Sequence, residues 1–386
     1  MRRAALVLAL LLTTACGGGE EEPRTPPAEP PREIEVDASS TLYGFVGDTA
    51  GNPVEGVVVS DGFQCVATDA GGVYEMKRDA AAEYVCYSVP AEFKIRTGHD
   101  GYPDFYVRLD TSQQKIRQDF TLERLAGVER NFRLICIGDP QPAKAEEATR
   151  FEREAMVDVR RTATASAVPC YGVALGDITG EKPDLLAGVR RSLGTAGIPV
   201  FALPGNHDKY KVDDATPRDA SYFRYTMGPV DYSFNRGDVH VVSMDNVIHS
   251  CKASADYEGG FTAAQYAWLK QDLSFVPKDK MVILCVHIPF RGGWGTNSAH
   301  ADADKYYDEV LDLLEGASRG LISRGGLPAH SFRDMVEVNV VGGEEALHVV
   351  LSMEDGLFAV YQDPDWSYAI REGEALAAAV EALLPA

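Results

Sequence analysis

Four apolar runs in this chain each stop abruptly at polar residues. FRLICI (132–137) ends at Gly138, Asp139, Pro140 and Gln141, and CYGVAL (170–175) at Gly176 and Asp177. IPVFAL (198–203) runs into PGNHD (204–208), and MVILCV (281–286) into His287, Ile288 and Pro289. Between them lie helix-like stretches, Glu146 to Ala165, Leu185 to Leu193, and FTAAQYAWLKQDLSFV (261–276). Continuous apolar runs of this length suit strands buried on both faces, and strands alternating with helices predict an α/β fold with a largely parallel sheet. Open α/β sheets place ligand-binding residues just beyond the carboxyl ends of their strands, which is where these polar clusters fall.

The segment before these runs has a different texture. From about Ile34 to Leu125 short β-prone runs (TLYGFVGD, GVVVSD, CVATD, GVYEMK, YVCYSV) are separated by turn chemistry such as Asp48 to Pro53 and Asp69 to Gly72. Spacing near ten residues predicts a small antiparallel sandwich over 34–126. Six cysteines follow Cys16, and none has the C-x-x-C spacing of a metal site. Cys65 and Cys86 share the β-rich stretch and are candidates for a disulfide, whereas Cys136 and Cys285 sit inside apolar runs and read as buried thiols.

The extreme N-terminus reads as an export signal. Arg2 and Arg3 precede an apolar run, Ala4 to Leu12, then small residues and Cys16. The run is too short to span a bilayer, which needs about 20 residues. Residues 1–16 resemble a bacterial lipoprotein signal with Cys16 as the lipidated residue; an ordinary secretory signal is the alternative. Residues 17–33 are rich in Gly, Glu and Pro and read as an extended tether. The expected location is therefore the cell envelope, on a periplasm-facing outer membrane, with membrane contact only through Cys16. The net charge of −21 argues against nucleic-acid partners, so an anionic substrate would need local positive charge such as a metal.

The clusters suit metal chemistry. Carboxylate, amide oxygen and imidazole are ligands for Mn, Fe or Zn, and two such ions can clamp a phosphoryl group. GD alone is a weak signal, but GNHD after an apolar run is specific, and four such elements in this order form a strong pattern. The pattern resembles the calcineurin-like metallophosphoesterase family from about Phe132 to Leu314, closest to a bacterial branch with an N-terminal carboxypeptidase-regulatory-like or transthyretin-like sandwich. The resemblance implies a four-layer αββα core over 131–316 and hydrolysis of phosphomonoesters or phosphodiesters by a metal-activated hydroxide. It further implies two divalent ions, with Asp139 and Gln141 on the first, Asp177 bridging, and Asn206 and His287 on the second. His207 would protonate the leaving alkoxide, with Asp208 orienting its ring.

Two departures stand out. Gln141 occupies a position where the family commonly has His. The family's final Gly-His-x-His is absent, since the matching slot, GLISRGGLPAHSF (320–332), puts Gly326 and Pro328 at the histidine positions. His330 lies two residues beyond and is the expected substitute ligand, with His300 and His348 as alternatives. Residues 317–386 diverge from the family and either complete or replace the end of the core. MVEVNVV, ALHVVLSM and LFAVYQ read as strands there, and EGEALAAAVEALL as a terminal helix. A second reading is a catalytically impaired phosphoesterase-fold lipoprotein acting as an envelope binding protein. Tyr222, Phe223, Tyr225, Tyr232 and Phe234 form an aromatic stretch best read as packing, and Arg291 and Trp294 are further candidates for substrate contact.

Overall fold

The computed structural model describes residues 32–211, 217–249, 257–278 and 280–288, residues 306, 309–310 and 313–314, and the backbone of five later strands. Eight strands come first: β1 Leu42–Asp48, β2 Val58–Ser60, β3 Cys65–Ala67, β4 Val73–Met76, β5 Tyr84–Tyr87, β6 Tyr106–Arg108, β7 Ile116–Arg117 and β8 Phe120–Leu122. They form two sheets, one ordered β4-β1-β7 with β8 also on β1, the other β3-β2-β5-β6. The second sheet is antiparallel as expected, but in the first β1 runs parallel to both β7 and β8. The chain breaks at Gln118 and Asp119 and then resumes pairing along the same strand. Asp119 Oδ1 accepts the Phe45 N–H at 2.8 Å, satisfying a donor that the break leaves off the ladder. Gly44 admits the break, because a Cβ there would stand 1.8 Å from the Gln118 carbonyl oxygen.

The expected Cys65–Cys86 disulfide does not form; both thiols are free and buried. Each is registered against Ser60, from opposite sides of β2. That puts them two strand spacings apart, about 9–10 Å, beyond the reach of a disulfide.

The remaining strands are β9 Phe132–Ile137, β10 Cys170–Leu175, β11 Val200–Leu203, β12 Tyr232–Arg236, β13 Val239–Ser243, β14 Val247–His249, β15 Tyr257–Gly259, β16 Met281–Val286, β17 Ser318–Ser323, β18 Met335–Gly342, β19 Leu347–Met353, β20 Leu357–Gln362 and β21 Ser367–Glu372. Helices are α1 Ala145–Arg150, α2 Met156–Ala165, α3 Pro183–Gly194, α4 Ser221–Met227 and α5 Ala263–Ser274. A π-helical turn, Phe151–Ala155, joins α1 to α2 where the sequence reads as one helix. Thr262 caps α5 through a reciprocal box with Gln265. No helix among the described residues is long and apolar enough to cross a membrane.

Strand alternation builds the layers. One sheet runs β11-β10-β9-β18-β19-β20-β21 and the other β12-β13-β16-β17. Phe132, Leu134, Cys136, Val173 and Phe201 from the first pack against Phe234, Val241, Ile283 and Cys285 from the second. Their neighbours Ile135, Ile137, Ala174 and Ala202 face a helical layer holding Phe151, Val159, Leu186 and Val189. On the outer side of the second sheet, Val242, Leu284 and Val286 cluster with Trp268 and Leu269 of α5. The order is helix, sheet, sheet, helix, as expected. Full burial of each such side chain stabilises by roughly 1.5–3 kcal/mol.

The divergent tail supplies strands to both sheets. β17 pairs in parallel with β16, and β18 pairs antiparallel with β9 before the β19–β21 meander. Three of these strands are the ones read from the sequence. The expected terminal helix, Cys251, His300, His330, Arg291 and Trp294 lie outside the described residues.

The sandwich is fused to the core along β12, the edge of its sheet. Val89 bridges Phe234, and Asn235 N–H donates to the Val89 carbonyl at 2.8 Å. Phe201 and Phe234 stack at 4.2 Å, and Phe105 of the sandwich lies 5.3 Å from the Phe201 ring. Fully buried Arg236 donates to the Phe93 carbonyl at 2.7 Å. Of the aromatic stretch, Tyr232 and Phe234 are buried in this cluster and Phe223 in the helical layer, whereas Tyr222 and Tyr225 are exposed.

Candidate metal centre

The first three polar clusters emerge beside one another because β9, β10 and β11 are adjacent and parallel. The fourth comes from β16 of the facing sheet. Asp139, Gln141 and Asp177 all adopt positive φ, at 42°, 44° and 52°. Non-glycine residues rarely do so, and such strain persists where surrounding structure enforces it, often at functional sites.

Two glycines permit the crowding. A Cβ on Gly205 would lie 2.1 Å from Asp177 Oδ1. Gly176, at φ 92°, would put a Cβ 2.5 Å from His287 Nδ1. The two sheets therefore meet at the site backbone to side chain, which only glycine allows.

Asp139, Asp177 and His287 each offer a ligand atom, and these atoms lie within 4.8 Å of one another. Asp177 and His287 are buried, and Asp139 is half-buried. The His287 Nδ1–H donates to the Leu175 carbonyl at 2.8 Å. In the neutral ring this leaves the lone pair on Nε2, which stands 3.1 Å from Asn206 Oδ1 and 3.4 Å from Asp177 Oδ1. One ring nitrogen and two oxygens thus converge, a donor set that fits the chemistry of a metal centre. Gln141 donates Nε2–H to Asp177 Oδ2 at 3.2 Å, keeping its amide oxygen available as a ligand.

The structure gathers Asp139, Gln141, Asp177, Asn206 and His287 in one place and sets His207 at its rim. Asp177 Oδ1 accepts the His207 backbone N–H at 2.9 Å. The His207 side chain is about one-third exposed.

Asp208 differs from expectation: it does not orient His207. Its fully buried carboxylate accepts backbone N–H groups from Ile178 at 2.8 Å, Thr179 at 2.9 Å and Gly205 at 2.9 Å. The 3₁₀ turn Asn206–Asp208 sends successive side chains in different directions, so Asp208 clamps the loop after β10 to the loop after β11. Burial, and then the charge of Asp177, pushes its carboxyl up to about 8. The carboxylate that does face the His207 ring belongs to Glu181, with Oε1 3.6 Å from Nδ1 and 2.7 Å from Arg218 Nη1. Its positive φ of 58° has no sequence signature, which is why it was not singled out.

Asn246 was also missed. It is buried, and its Oδ1 accepts the backbone N–H groups of His287 at 3.1 Å and Ile288 at 2.9 Å, while its Nδ2 donates to the Ile288 carbonyl at 2.7 Å. The motif SMDN contains it, but an asparagine before a strand reads as a turn.

The C-terminal histidines divide by strand register. His348 pairs with Val341, whereas the site end of β18 is Met335, registered against Ile137. Six residues of strand separate them, about 20 Å, so His348 occupies the far end of the sheet and its candidacy is overturned. Ser323 pairs with Val286 and Met335 with Ile137, so the strands flanking residues 324–334 end and begin at the site end of the sheets.

The four-layer αββα fold with oxygen and nitrogen donors at the strand ends is the arrangement that the resemblance to metallophosphoesterases implies. Residues 40–125 match the family described as the N-terminal of calcineurin-like phosphoesterase. The chain is also 24% identical over 208 residues to purple acid phosphatase 18 of Arabidopsis thaliana, a match covering 50% of this chain and 43% of that relative. The chain thus spans less than half the length of the curated relative it matches. Both matches support a likeness to the calcineurin-like metallophosphoesterase family.

Proposed function

We propose that the chain hydrolyses phosphate monoesters or diesters at this centre. The convergence of Asp139, Asp177 and His287 carries the reading. Asp139 and Gln141 would hold one divalent cation, Asn206 and His287 a second, with Asp177 between them. Bound there, the cations would supply charge neutralisation at the phosphoryl oxygens and a water of lowered pKa. The chain's own contribution is placement and proton handling. His207 stands at the open rim, where its imidazole can protonate a departing alkoxide, and Glu181 holds the ring's Nδ1 side. Gln141 and Asn206, as amides, add donors without adding charge, which leaves the identity among Mn, Fe and Zn to the two carboxylates and His287.

The test uses purified full-length protein with added Mn²⁺ and an aryl phosphate. Turnover should appear, and Asp177→Asn should lower it about a thousandfold or more, the several kcal/mol a clamped cation supplies. Equal turnover by the variant would remove the site assignment.

We also propose export and lipid attachment at Cys16, supported by the basic, apolar and small-residue order of the first sixteen residues. Palmitate labelling in a bacterial host should be present in the native chain and lost in Cys16→Ser.

A further inference from the structure

A cleft of about 520 Å³ opens where the sandwich meets the core, a size usual for small-molecule sites. None of Asp139, Gln141, Asp177, Asn206 or His287 is among the residues that line it. One wall comes from the sandwich, with Phe63 on the β2–β3 turn and Glu83 and Tyr84 at the start of β5. The opposite wall comes from the core, with Lys209, Arg218, Arg224 and Ile248.

Among the described residues, two links run from the cleft to the metal centre. Arg218 lines it, and Arg218 Nη1 bonds Glu181 Oε1 at 2.7 Å, the same oxygen that stands 3.6 Å from His207 Nδ1. On the deeper side, Asp245 and Val247 line it while Asn246 between them positions His287. A molecule seated in the cleft would therefore be linked to His207 through the Arg218–Glu181 pair.

The lining selects by charge. Its carboxylates are Asp61, Glu83, Asp219, Asp231 and Asp245, against three cations. Those cations are already engaged: Lys209 with Asp245 at 2.7 Å, Arg224 with Glu83 at 3.2 Å, and Arg218 with Glu181. Asp231 is half-buried beneath, held by Gln265 Nε2 at 3.0 Å and favoured in its protonated form, so the excess negative charge is that of Asp61 and Asp219. A second anionic group entering here would meet unbalanced negative charge in a low-dielectric wall. Half-buried Phe63 and Ile248 add apolar surface, and the Phe63 ring face suits a cation.

We propose that this cleft seats the alcohol half of the phosphate ester, that it accepts uncharged or cationic organic alcohols and rejects anionic ones, and that the sandwich supplies part of this specificity through Phe63. The inference rests on the phosphoesterase reading above.

The experiment compares native full-length protein with Phe63→Ala and Ile248→Ala on three substrates: ethyl phosphate, phosphocholine and 3-phosphoglycerate. The native chain should favour phosphocholine over 3-phosphoglycerate at least tenfold in kcat/KM. Each variant should raise KM for phosphocholine about fivefold or more, and by a larger factor than any change in KM for ethyl phosphate. Uniform losses on all three substrates, or no loss on any, would overturn the cleft assignment while leaving the phosphoesterase standing. Calorimetric titration with choline alone separates the two readings. Choline binding in the native chain that Phe63→Ala weakens, in a protein with no turnover on any ester, would sink the catalytic reading and keep the cleft. Absence of choline binding together with indiscriminate turnover would do the reverse.

Discussion

The imidazole of His287 is held by the carbonyl of Leu175, the last residue of β10, at 2.8 Å. The strand that leads to Asp177 thus also orients the histidine supplied by the facing sheet. Ligand geometry is set by the spacing between two sheets, and what sets that spacing is open to test.

Gly176→Ala attacks this contact directly. The new Cβ would sit 2.5 Å from His287 Nδ1, at a φ of 92° that alanine rarely adopts. Displacing a partner that orients a metal-ligating histidine typically costs 10–100-fold in metal affinity. Isothermal titration with Mn²⁺ should show a loss of about that size, with a stability loss of about 1–3 kcal/mol in urea melts from overpacking and backbone strain. Native-like Mn²⁺ affinity in a folded variant would count against the proposed role of His287.

Asn246→Ala should act on the same histidine from behind. It removes the acceptor for the His287 and Ile288 N–H groups in a buried setting, stranding both. Each unsatisfied group costs about 1–3 kcal/mol, so thermal melts should show a combined loss of several kcal/mol. Asn246→Asp keeps the acceptor and should recover Mn²⁺ binding better than alanine does.

Asp208 and Glu181 separate cleanly by measurement. Asp208→Asn turns an amide N–H₂ toward backbone donors and should lower stability by about 2–4 kcal/mol, within the range for breaking a buried hydrogen-bond network. Glu181→Gln should leave the melting curve nearly unchanged and lower kcat a few-fold with KM intact. The opposite pattern would restore Asp208 as the partner of the His207 ring.

Asp231 predicts a pH dependence of stability. Burial, and then the charge of Asp245, raises its carboxyl from 3.8 to about 7. Folding therefore favours its protonated form. Its contribution is fully present below about pH 4 and is lost as pH rises through about 7, because the folded state must then carry a partly desolvated charge that the unfolded chain carries in water. Asp231→Asn removes that dependence. Urea unfolding should find the variant gaining stability relative to the native chain at pH 8 and no such gain at pH 4.

The fold was legible where apolar runs and turn chemistry agree. FRLICI, CYGVAL and MVILCV announce buried strands, and their polar endings announce the site, because a ligand after a strand must follow it directly in sequence. Roles set by direction rather than order were not legible. His207 and Asp208 are adjacent in the chain, yet the turn that carries them points Asp208 into the backbone of the neighbouring loop. Glu181 and Asn246 meet their partners only through tertiary packing. The parallel β1–β7 and β1–β8 pairings depend on a local break at Gln118 that composition does not mark, and the separation of Cys65 from Cys86 depends on register. His348 lies in a strand as expected, but only its pairing with Val341 reveals which end of the sheet it occupies.

The fusion of the sandwich to β12 has a consequence for synthesis. An exposed β12 edge would offer unpaired backbone groups and the apolar face of Phe234 to any passing strand, a template for aggregation. Val89 is already in place to receive it, being translated well before Phe234. Domains fold roughly in the order they emerge, whether from the ribosome or on the far side of a membrane, so the cap precedes the surface it covers. The N-terminal position of the sandwich then gives the nascent core an intramolecular escort, and a chain starting after residue 126 would emerge without one.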